Sequence, residues 1–283
     1  MISVDIILVT YNHEKFVKPA VESILCQHIA PNINVRLIVA DDYSKDGTLD
    51  IIKNTVANNK ISTLFLPSVE NLGIVKNYER AFAACNADYV LILEGDDAWT
   101  SPNHIEQHVR FLNNHMECSM SMNRYVTYFE DTKEYKYEDR EPREIMYYDL
   151  SQQILDLNHL GNLSACCFRG KHIKDLPPKL FQVYFADWLL GIIMAQHGLI
   201  CVFRECTSMY RISSQGLWAG LDKKGREEFL LQSVEEYDEF FERRYHRYFY
   251  SLKESLLNVP IWKKILFKWL REIRSFFRNI VKK

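Results

Sequence analysis

The sequence of 283 residues has only ten glycines, and it contains neither a GxxxxGK[ST] motif nor a GxGxxG motif. Each of these motifs holds phosphate groups on the backbone N–H groups of a glycine-rich loop at the start of a helix. Their absence argues against the ATP-dependent and NAD-dependent enzymes that rely on such loops. A ligand that contains a diphosphate would instead be held through a metal ion.

Long apolar runs and paired cysteines are also missing. No run of eighteen apolar residues occurs, so no transmembrane helix is expected, and the N-terminal stretch carries Asp5 but no Lys or Arg, which predicts a strand and not a signal peptide. There is no CxxC pair and the number of cysteines is odd, which predicts reduced, buried thiols in a cytosolic protein. The cysteines are Cys26, Cys85, Cys118, Cys166, Cys167, Cys201 and Cys206.

Positive charge is scarce outside the C-terminal end. Residues 260–283 contain eight Lys or Arg and one acidic residue, a net charge of +7, whereas the rest of the chain is acidic. The acidic body argues against general nucleic-acid binding. The basic end suits an anionic membrane surface.

Strand and helix patterns alternate over the first 115 residues, which predicts an α/β fold with a mostly parallel sheet flanked by helices. The expected strands are Val4–Val9, Val35–Ala40, Thr63–Leu66 and Tyr89–Leu93, and the expected helices are His13–Gln27, Thr48–Asn58, Ile74–Cys85 and Pro102–Asn114. Further along we expect an antiparallel strand over Ser119–Phe129, a loop or hairpin over Glu130–Arg143, a strand over Asn162–Phe168, a helix over Ala186–His197, a strand over Leu199–Phe203 and helices from Lys223 onward.

Acidic residues follow two of the predicted parallel strands. Glu94, Asp96 and Asp97 come after the apolar run that starts at Tyr89, and Asp41 and Asp42 end the second strand. Because parallel strands open onto one edge of the sheet, the two groups should converge there, and a divalent cation would neutralise them. The alternative is that these acids are ordinary turn residues.

Two more segments belong to this edge. The stretch VTYN, which includes Thr10, Tyr11 and Asn12, ends the first strand. In ENLGIVKNYERAF, Gly73 would supply a tight turn into the third helix and Lys76 would meet a phosphate or a base. A solvated lysine is the alternative for Lys76.

Taken together, VTYN, DDYSKDGT, ENLG and ILEGDDAW resemble the motif series of glycosyltransferase family 2 in order and spacing. EGDD then stands for the family's DxD-type motif. The resemblance covers about the first 115 residues. It implies a GT-A, Rossmann-like fold with a C-terminal helical appendage, an inverting reaction, a nucleotide-diphosphate sugar as donor, and Mg²⁺ or Mn²⁺ as cofactor. The implied domains are a catalytic domain, 1–222, with a nucleotide-binding half, 1–115, and an acceptor-side half, 116–222, and a helical region, 223–283.

The resemblance also implies roles for individual residues. Asp41 would bind the nucleobase with Thr10 nearby, Asp96 would contact ribose or metal, Asp97 would ligate the metal, and Glu94 takes the place of the first acid of the DxD motif. The wider nucleotide-binding set is Thr10, Tyr11, Asn12, Asp41, Asp42, Gly73, Lys76, Asp96 and Arg211. Which acid ligates the metal directly stays open.

The catalytic base implied by the family is an acid about ninety residues beyond the DxD motif, and YFADWLLG supplies Asp187. At a helix N-terminus this carboxylate would be ionised and able to accept a proton. An ordinary N-cap is the alternative. Trp188 and Trp218 are candidates for sugar contacts. Trp218 lies in YRISSQGLWAG, which has Ser213 where the family often has histidine. This segment would act as a lid, and a mobile surface loop is the alternative.

The C-terminal end, PIWKKILFKWLREIRSFFRNIVKK, spaces its apolar residues as one helical stripe with basic residues off it. This pattern is typical of an interfacial membrane anchor and suggests a lipid-linked acceptor. A helix packed on the body of the protein or on a second subunit is the alternative.

These patterns predict a metal-dependent inverting glycosyltransferase. It would be cytoplasmic, peripheral on the inner face of the plasma membrane, and would extend a surface glycan on a polyprenyl lipid from a nucleotide-diphosphate sugar, with UDP as the expected nucleotide. Two alternatives remain. One is an inactive, membrane-bound scaffold of the same fold, and the other is a sugar-nucleotide pyrophosphorylase, which would need a basic, glycine-rich N-terminal signature.

Overall fold

A mixed sheet organises the chain in this computed structural model, which describes residues 1–137, 145–156, 161–183, 187–213 and 222–258. The strands are β1 (Ile2–Thr10), β2 (Ile33–Asp41), β3 (Ser62–Phe65), β4 (Tyr89–Glu94), β5 (Ala98–Trp99), β6 (Cys118–Phe129), β7 (Glu134–Lys136), β8 (Met146–Tyr148), β9 (Cys166–Arg169) and β10 (Leu199–Ile212). The helices are α1 (Val17–Leu25), α2 (Thr48–Val56), α3 (Ile74–Ala83), α4 (His104–Asn114), α5 (Leu150–Leu155), α6 (Gly170–Lys174), α7 (Asp187–Ala195), α8 (Lys223–Phe240) and α9 (His246–Asn258).

The sheet runs in the order β3-β2-β1-β4-β9-β6-β10-β5, with β7 on β6 and β8 on β10. Strands β1 to β4 pair in parallel, as predicted. Helices cover both faces of this half of the sheet, which is why its strands are continuous apolar runs. Helices α1, α2 and α4 pack on one face, and α3 with α5 to α9 pack on the other. The predicted α/β fold class is confirmed.

One acid in the middle of β1 is explained by a neighbouring strand. Asp5 is 1% exposed, and Arg36, its partner in the register of β2, donates to both of its carboxylate oxygens at 2.8 and 2.9 Å. The backbone N–H groups of Asn86 and Ala87 donate to the same carboxylate. A buried charge is tolerated where it is paired and fully hydrogen-bonded.

The second half of the sheet differs from the sequence-based expectation. β6 is antiparallel to β9 and β7, which confirms the strand predicted over Ser119–Phe129, but it is parallel to β10, which was not predicted. The chain between β6 and β10 contains helices, which is the kind of crossover that parallel pairing requires. β10 also continues to Ile212, well past the expected end at Phe203, because irregular register between Val202 and Ser208 interrupts its alternation.

The C-terminal helices join the main core. Val234 and Tyr237 of α8 and Phe249 and Leu252 of α9 are buried in the same cluster as α7. The boundary expected at residue 222 stays a prediction. Residues 260–283, with the basic amphipathic pattern, lie outside the described part, and within that part no helix has the length and hydropathy needed to cross a bilayer.

Two buried histidines make stability sensitive to acid. His108 bonds Ser121 and Asn123 and is fully buried beside His104, and burial lowers its pKa to about 4 and the pKa of His104 well below its usual value. Since the unfolded chain takes up these protons below about pH 6.5, stability should fall as the pH drops from there toward 4.

We expect urea unfolding at pH 7 and pH 5 to reveal this effect through a His108→Gln variant. The variant should be less stable at pH 7, but its loss between the two pH values should be about 2 kcal/mol smaller than that of the wild type. Equal losses would show that His108 is not held neutral by the fold.

Candidate active site

Three neighbouring strands end together at one edge of the sheet, which we call the rim and define by Thr10, Asp41 and Glu94. β1 lies between β2 and β4, and its register places Thr10 opposite Asp41 and Val9 opposite Glu94. The two groups of acids seen in the sequence therefore flank the end of β1, one on each side. This is the edge at which parallel α/β sheets bind their ligands.

At the end of β2, Asp41 is buried and well supplied with donors. Thr10 Oγ1 donates to its Oδ1 at 2.8 Å, and the backbone N–H and the hydroxyl of Ser44 donate to the same carboxylate at 2.9 and 2.5 Å. Thr10 and Ser44 thus fix the position of the residue expected to recognise the nucleobase.

Asp42 anchors the loop that leads into α3. Its carboxylate accepts from the side-chain amide of Asn71 and from the backbone N–H groups of Leu72 and Gly73, at 2.8 to 2.9 Å. Gly73 has a φ of 83°, as the expected tight turn requires, and α3 begins at Ile74. Asp42 therefore lies in the rim as a support of the ENLG turn.

A basic residue that the sequence pattern did not single out lies beside the two aspartates. Arg80 of α3 donates to the carbonyl of Asp41 at 2.6 Å and to those of Pro67 and the Asn77 side chain. Burial lowers the pKa of Arg80, and the charges of Asp42 and Asp41 oppose that change. The positive charge of Arg80 thus partly balances the negative charges of Asp41 and Asp42. The sequence signal for Arg80 is its position four residues after Lys76, on the same face of α3.

The other expected contacts of this half differ in exposure. Tyr11 is 44% exposed at the rim. Asn12, with a φ of 55°, is used to join two loops, since its N–H donates to Ser44 and its side chain accepts from Lys45. Lys76 is exposed and pairs with Glu79 at 2.6 Å, which favours the solvated alternative.

The EGDD turn at the end of β4 requires its glycine. A Cβ on Gly95 would lie 2.5 Å from Thr10 Cγ2 and 2.6 Å from His13 Nδ1, so only glycine lets the turn approach the end of β1 this closely. Before it, Glu94 accepts a hydrogen bond from the Tyr78 hydroxyl at 2.9 Å. Burial, followed by the charges of Asp97 and Asp96, raises the pKa of Glu94 well above its usual range.

Asp97 is buried and uses both carboxylate oxygens within the protein. Oδ2 accepts from Asn162 Nδ2 at 2.8 Å and from the Ser164 hydroxyl at 2.6 Å, and Oδ1 accepts from the backbone N–H of Arg211 at 2.8 Å. Burial, and then the charge of Asp96, raises its pKa above the ordinary value. This placement gives Asp97 a structural position, and its role as metal ligand stays a prediction.

Asp96 is the carboxylate of the turn that the protein leaves available. Among the described residues its carboxylate has no hydrogen bond or ion pair, while its backbone carbonyl accepts from Arg211 Nε at 2.8 Å. The guanidinium of Arg211 also pairs with Glu130 and lies 4.7 Å from the ring centre of Phe16 and 5.0 Å from that of Tyr128. Arg211 therefore braces the turn, and a contact with the diphosphate would use its remaining N–H groups.

Asp187 begins α7, and its carboxylate accepts the N–H of Trp188 at 2.9 Å. Burial raises the pKa values of Glu94, Tyr78 and Tyr210, and the charge of Asp187 adds to that change. Helix α7 packs in the same core cluster as α3. Trp188 itself is 3% exposed, and its indole N–H donates to the carbonyl of Gln153. That placement favours a packing role over a sugar contact, and Trp218 lies outside the described residues.

The donor set fits Mg²⁺ or Mn²⁺ in one specific way. No group of three or more His, Cys, Asp or Glu side chains poised to hold a metal is found within the described ranges. Mg²⁺ is commonly held by one or two carboxylates together with substrate phosphates, and the unpartnered carboxylate of Asp96 provides such a ligand. Burial, and then repulsion among the acids, raises the pKa values of Glu94 and Asp97, so these acids would gain from a cation.

Two bacterial relatives match parts of the sequence. The uncharacterized protein Rv1520 of Mycobacterium tuberculosis (strain ATCC 25618 / H37Rv) is 27% identical over 217 residues, which is 76% of this chain and 60% of that protein. The Bacillus subtilis (strain 168) protein TuaG, named as a glycosyltransferase of teichuronic acid biosynthesis, is 28% identical over 131 residues, 45% of this chain and 48% of TuaG. The chain thus spans less than two thirds of either relative.

Solved structures share the fold. TarS 1-349 of S. aureus, in complex with UDP-GlcNAc, has a TM-score of 0.61 at 17% identity, over 83% of this chain and 65% of the TarS 1-349 chain. The mannosyltransferase PcManGT of Pyrobaculum calidifontis, in complex with GDP-Man and Mn²⁺, has a TM-score of 0.52 at 14% identity, over 82% of this chain and 60% of the other. These likenesses confirm the expected GT-A fold.

The family profile described as Glycosyl transferase family 2 matches residues 5–175, which include the rim and the EGDD turn. This range exceeds half of the chain and extends beyond the first 115 residues whose motifs carried the resemblance. Matching motifs, sheet topology and family profile agree, and the chain belongs to glycosyl transferase family 2.

Proposed function

We propose that this protein is a metal-dependent, inverting glycosyltransferase that uses a nucleotide-diphosphate sugar, with UDP as the expected nucleotide. The observation that carries the proposal is the carboxylate of Asp96, which accepts no hydrogen bond from any residue that the structure describes, whereas the neighbouring carboxylate of Asp97 accepts three. A protein gains nothing in stability from such a concentration of acids. Binding of a cation that is shared with a diphosphate would explain why these acids lie together.

In the proposed site, the nucleoside lies along the ends of β1 and β2, where Asp41 is held by Thr10 and Ser44. Asp96 holds Mg²⁺ or Mn²⁺, which when bound would stabilise negative charge on the leaving diphosphate. Arg211 keeps the turn that carries Asp96 in place through the carbonyl of that residue.

The reaction is a single displacement at the anomeric carbon. The acceptor oxygen forms a bond to that carbon, the bond to the β-phosphate oxygen breaks, and the hydroxyl proton passes to the carboxylate of Asp187.

The acceptor is proposed to be a growing surface glycan on a polyprenyl lipid. The name of TuaG refers to the synthesis of a surface polymer, and the basic amphipathic sequence of residues 260–283 would bring the enzyme to the inner face of the plasma membrane. Each of these points is inferred from similarity and sequence pattern.

The experiment that tests this function compares the wild type with Asp187→Asn in a panel of UDP-, GDP- and dTDP-sugars. The wild type should slowly release nucleoside diphosphate from at least one donor when Mg²⁺ or Mn²⁺ is present, and a chelator should stop the release. Asp187→Asn should lower kcat by about 10²–10⁴-fold with little change in donor affinity, because proton transfer is lost while binding is kept.

Asn can still accept the N–H of Trp188, so the variant should fold normally, and the exposed acid Asp175, changed to Asn, provides a control with wild-type kcat. Donor binding without any release would favour the inactive scaffold. Release that continues unchanged in Asp187→Asn would remove Asp187 from the role of base.

A further inference from the structure

His13 lies against the EGDD turn, although no motif singled it out. Its Nδ1 would be 2.6 Å from a Cβ on Gly95, so the imidazole packs directly on the backbone of that turn. Gly95 is the immediate neighbour of Asp96, the residue left available for the cation. The ring is thus part of the wall of the proposed donor site.

The position of the ring is fixed by the loop that carries it. The backbone N–H of His13 donates to Thr48 Oγ1 at 2.8 Å, and the N–H of Glu14 donates to Asp46 at 3.1 Å. On the other side, the N–H of Asn12 donates to Ser44 at 2.9 Å. Three consecutive residues of this loop are therefore tied to the loop after β2 and to the first residue of α2, so the backbone that carries the imidazole is held in place before any ligand arrives.

The two nitrogens of the ring have different environments. Among the described residues neither nitrogen has a hydrogen-bond partner, and Nδ1 is buried whereas Nε2 is not. Because a buried N–H without an acceptor is costly, the tautomer with its proton on Nε2 is favoured. His13 thus presents an N–H donor at the surface of the site.

We propose that His13 binds the diphosphate of the donor, with Nε2–H donating to a phosphate oxygen. The inference rests on the proposed function and deepens it. A diphosphate that shares a cation with Asp96 must pass beside Gly95, against which His13 is packed. Arg211 and Arg80 use part of their N–H groups on protein partners, so the Nε2–H of His13, on a loop held by backbone hydrogen bonds, provides a further contact with the anion at this point.

The test measures binding of UDP, GDP, uridine and guanosine by calorimetry in Mn²⁺ to the wild type, His13→Leu and His13→Gln. The comparison uses the nucleotide that the wild type binds. His13→Leu should weaken binding of the diphosphate by about tenfold or more and leave that of the nucleoside unchanged, because only the diphosphate receives the hydrogen bond. His13→Gln should retain most of the affinity, since its amide nitrogen can replace Nε2.

A matched control is His115→Leu, because His115 precedes β6 at the opposite edge of the sheet, and its diphosphate affinity should equal that of the wild type. Equal affinity in His13→Leu and the wild type would overturn the role of His13 alone. A parallel loss for the nucleoside would overturn it too, since it would indicate a merely structural effect. If the wild type binds neither nucleoside diphosphate, the proposed donor class fails and this inference fails with it.

Discussion

Replacing Asp96 with Asn should lower the rate of sugar transfer, or of donor hydrolysis, by about 10²–10³-fold, which corresponds to the several kcal/mol that a metal ligand contributes to the transition state. The reason is that Asp96 has the one carboxylate of the EGDD turn without a bond to another described residue, so the proposed cation depends on its charge. The amide of Asn keeps the shape but is a poor ligand for Mg²⁺ or Mn²⁺.

Folding should not be impaired by this change. Because no described residue donates to the Asp96 carboxylate, and because its loss relieves repulsion with Glu94 and Asp97, the free energy of unfolding of Asp96→Asn should be no more than about 0.5 kcal/mol below the wild-type value. Steady-state kinetics and urea unfolding on the same preparations make the comparison. Full activity in the variant would show that the rim does not use Asp96.

The second large effect is expected at Asp97, where a substitution should change the stability of the fold. Asp97→Ala should lower the free energy of unfolding by about 3 kcal/mol, because it leaves three buried donors without an acceptor and each costs about 1–3 kcal/mol. The donors are Asn162 Nδ2, the hydroxyl of Ser164 and the backbone N–H of Arg211. Relief of repulsion with Glu94 offsets part of the loss.

Urea unfolding of Asp97→Ala and Asp96→Ala, side by side, separates the roles of the two acids. The structure predicts that the first variant is markedly destabilised and the second is not. If both unfold at the wild-type urea concentration, then the hydrogen bonds that bind Asp97 to Asn162 and Ser164 contribute nothing, and Asp97 would again be the better candidate for the metal ligand.

The sequence was sufficient to predict the sheet edge and the residues on it. Periodicity located β1, β2 and β4, and the rule that parallel strands open onto one edge brought Asp41 and the EGDD turn together. These elements are continuous apolar runs, for which local sequence and final burial agree.

The sequence does not show which acids accept hydrogen bonds within the fold and which acid is left for the cation. Asp42 and Asp97 are held by Asn71, Asn162 and Ser164, which lie tens of residues away, so their partners depend on the completed fold. The sequence does not single out Arg80 or His13 for a similar reason. Arg80 contacts Asp41 and His13 contacts Gly95 only because the fold brings these residues together at the strand ends. The register of β10 is irregular, so its residues do not alternate regularly and the sequence pattern does not predict its full length.

Calorimetric titration of UDP and GDP into the wild type, once with Mn²⁺ and once with a chelator, shows whether the rim binds a nucleotide through a metal ion held by Asp96. We expect at least one of these nucleotides to bind about tenfold or more tightly with Mn²⁺, and Asp96→Asn to abolish this difference. Binding that is equally tight with and without the metal, or a metal effect that persists in Asp96→Asn, would contradict this expectation.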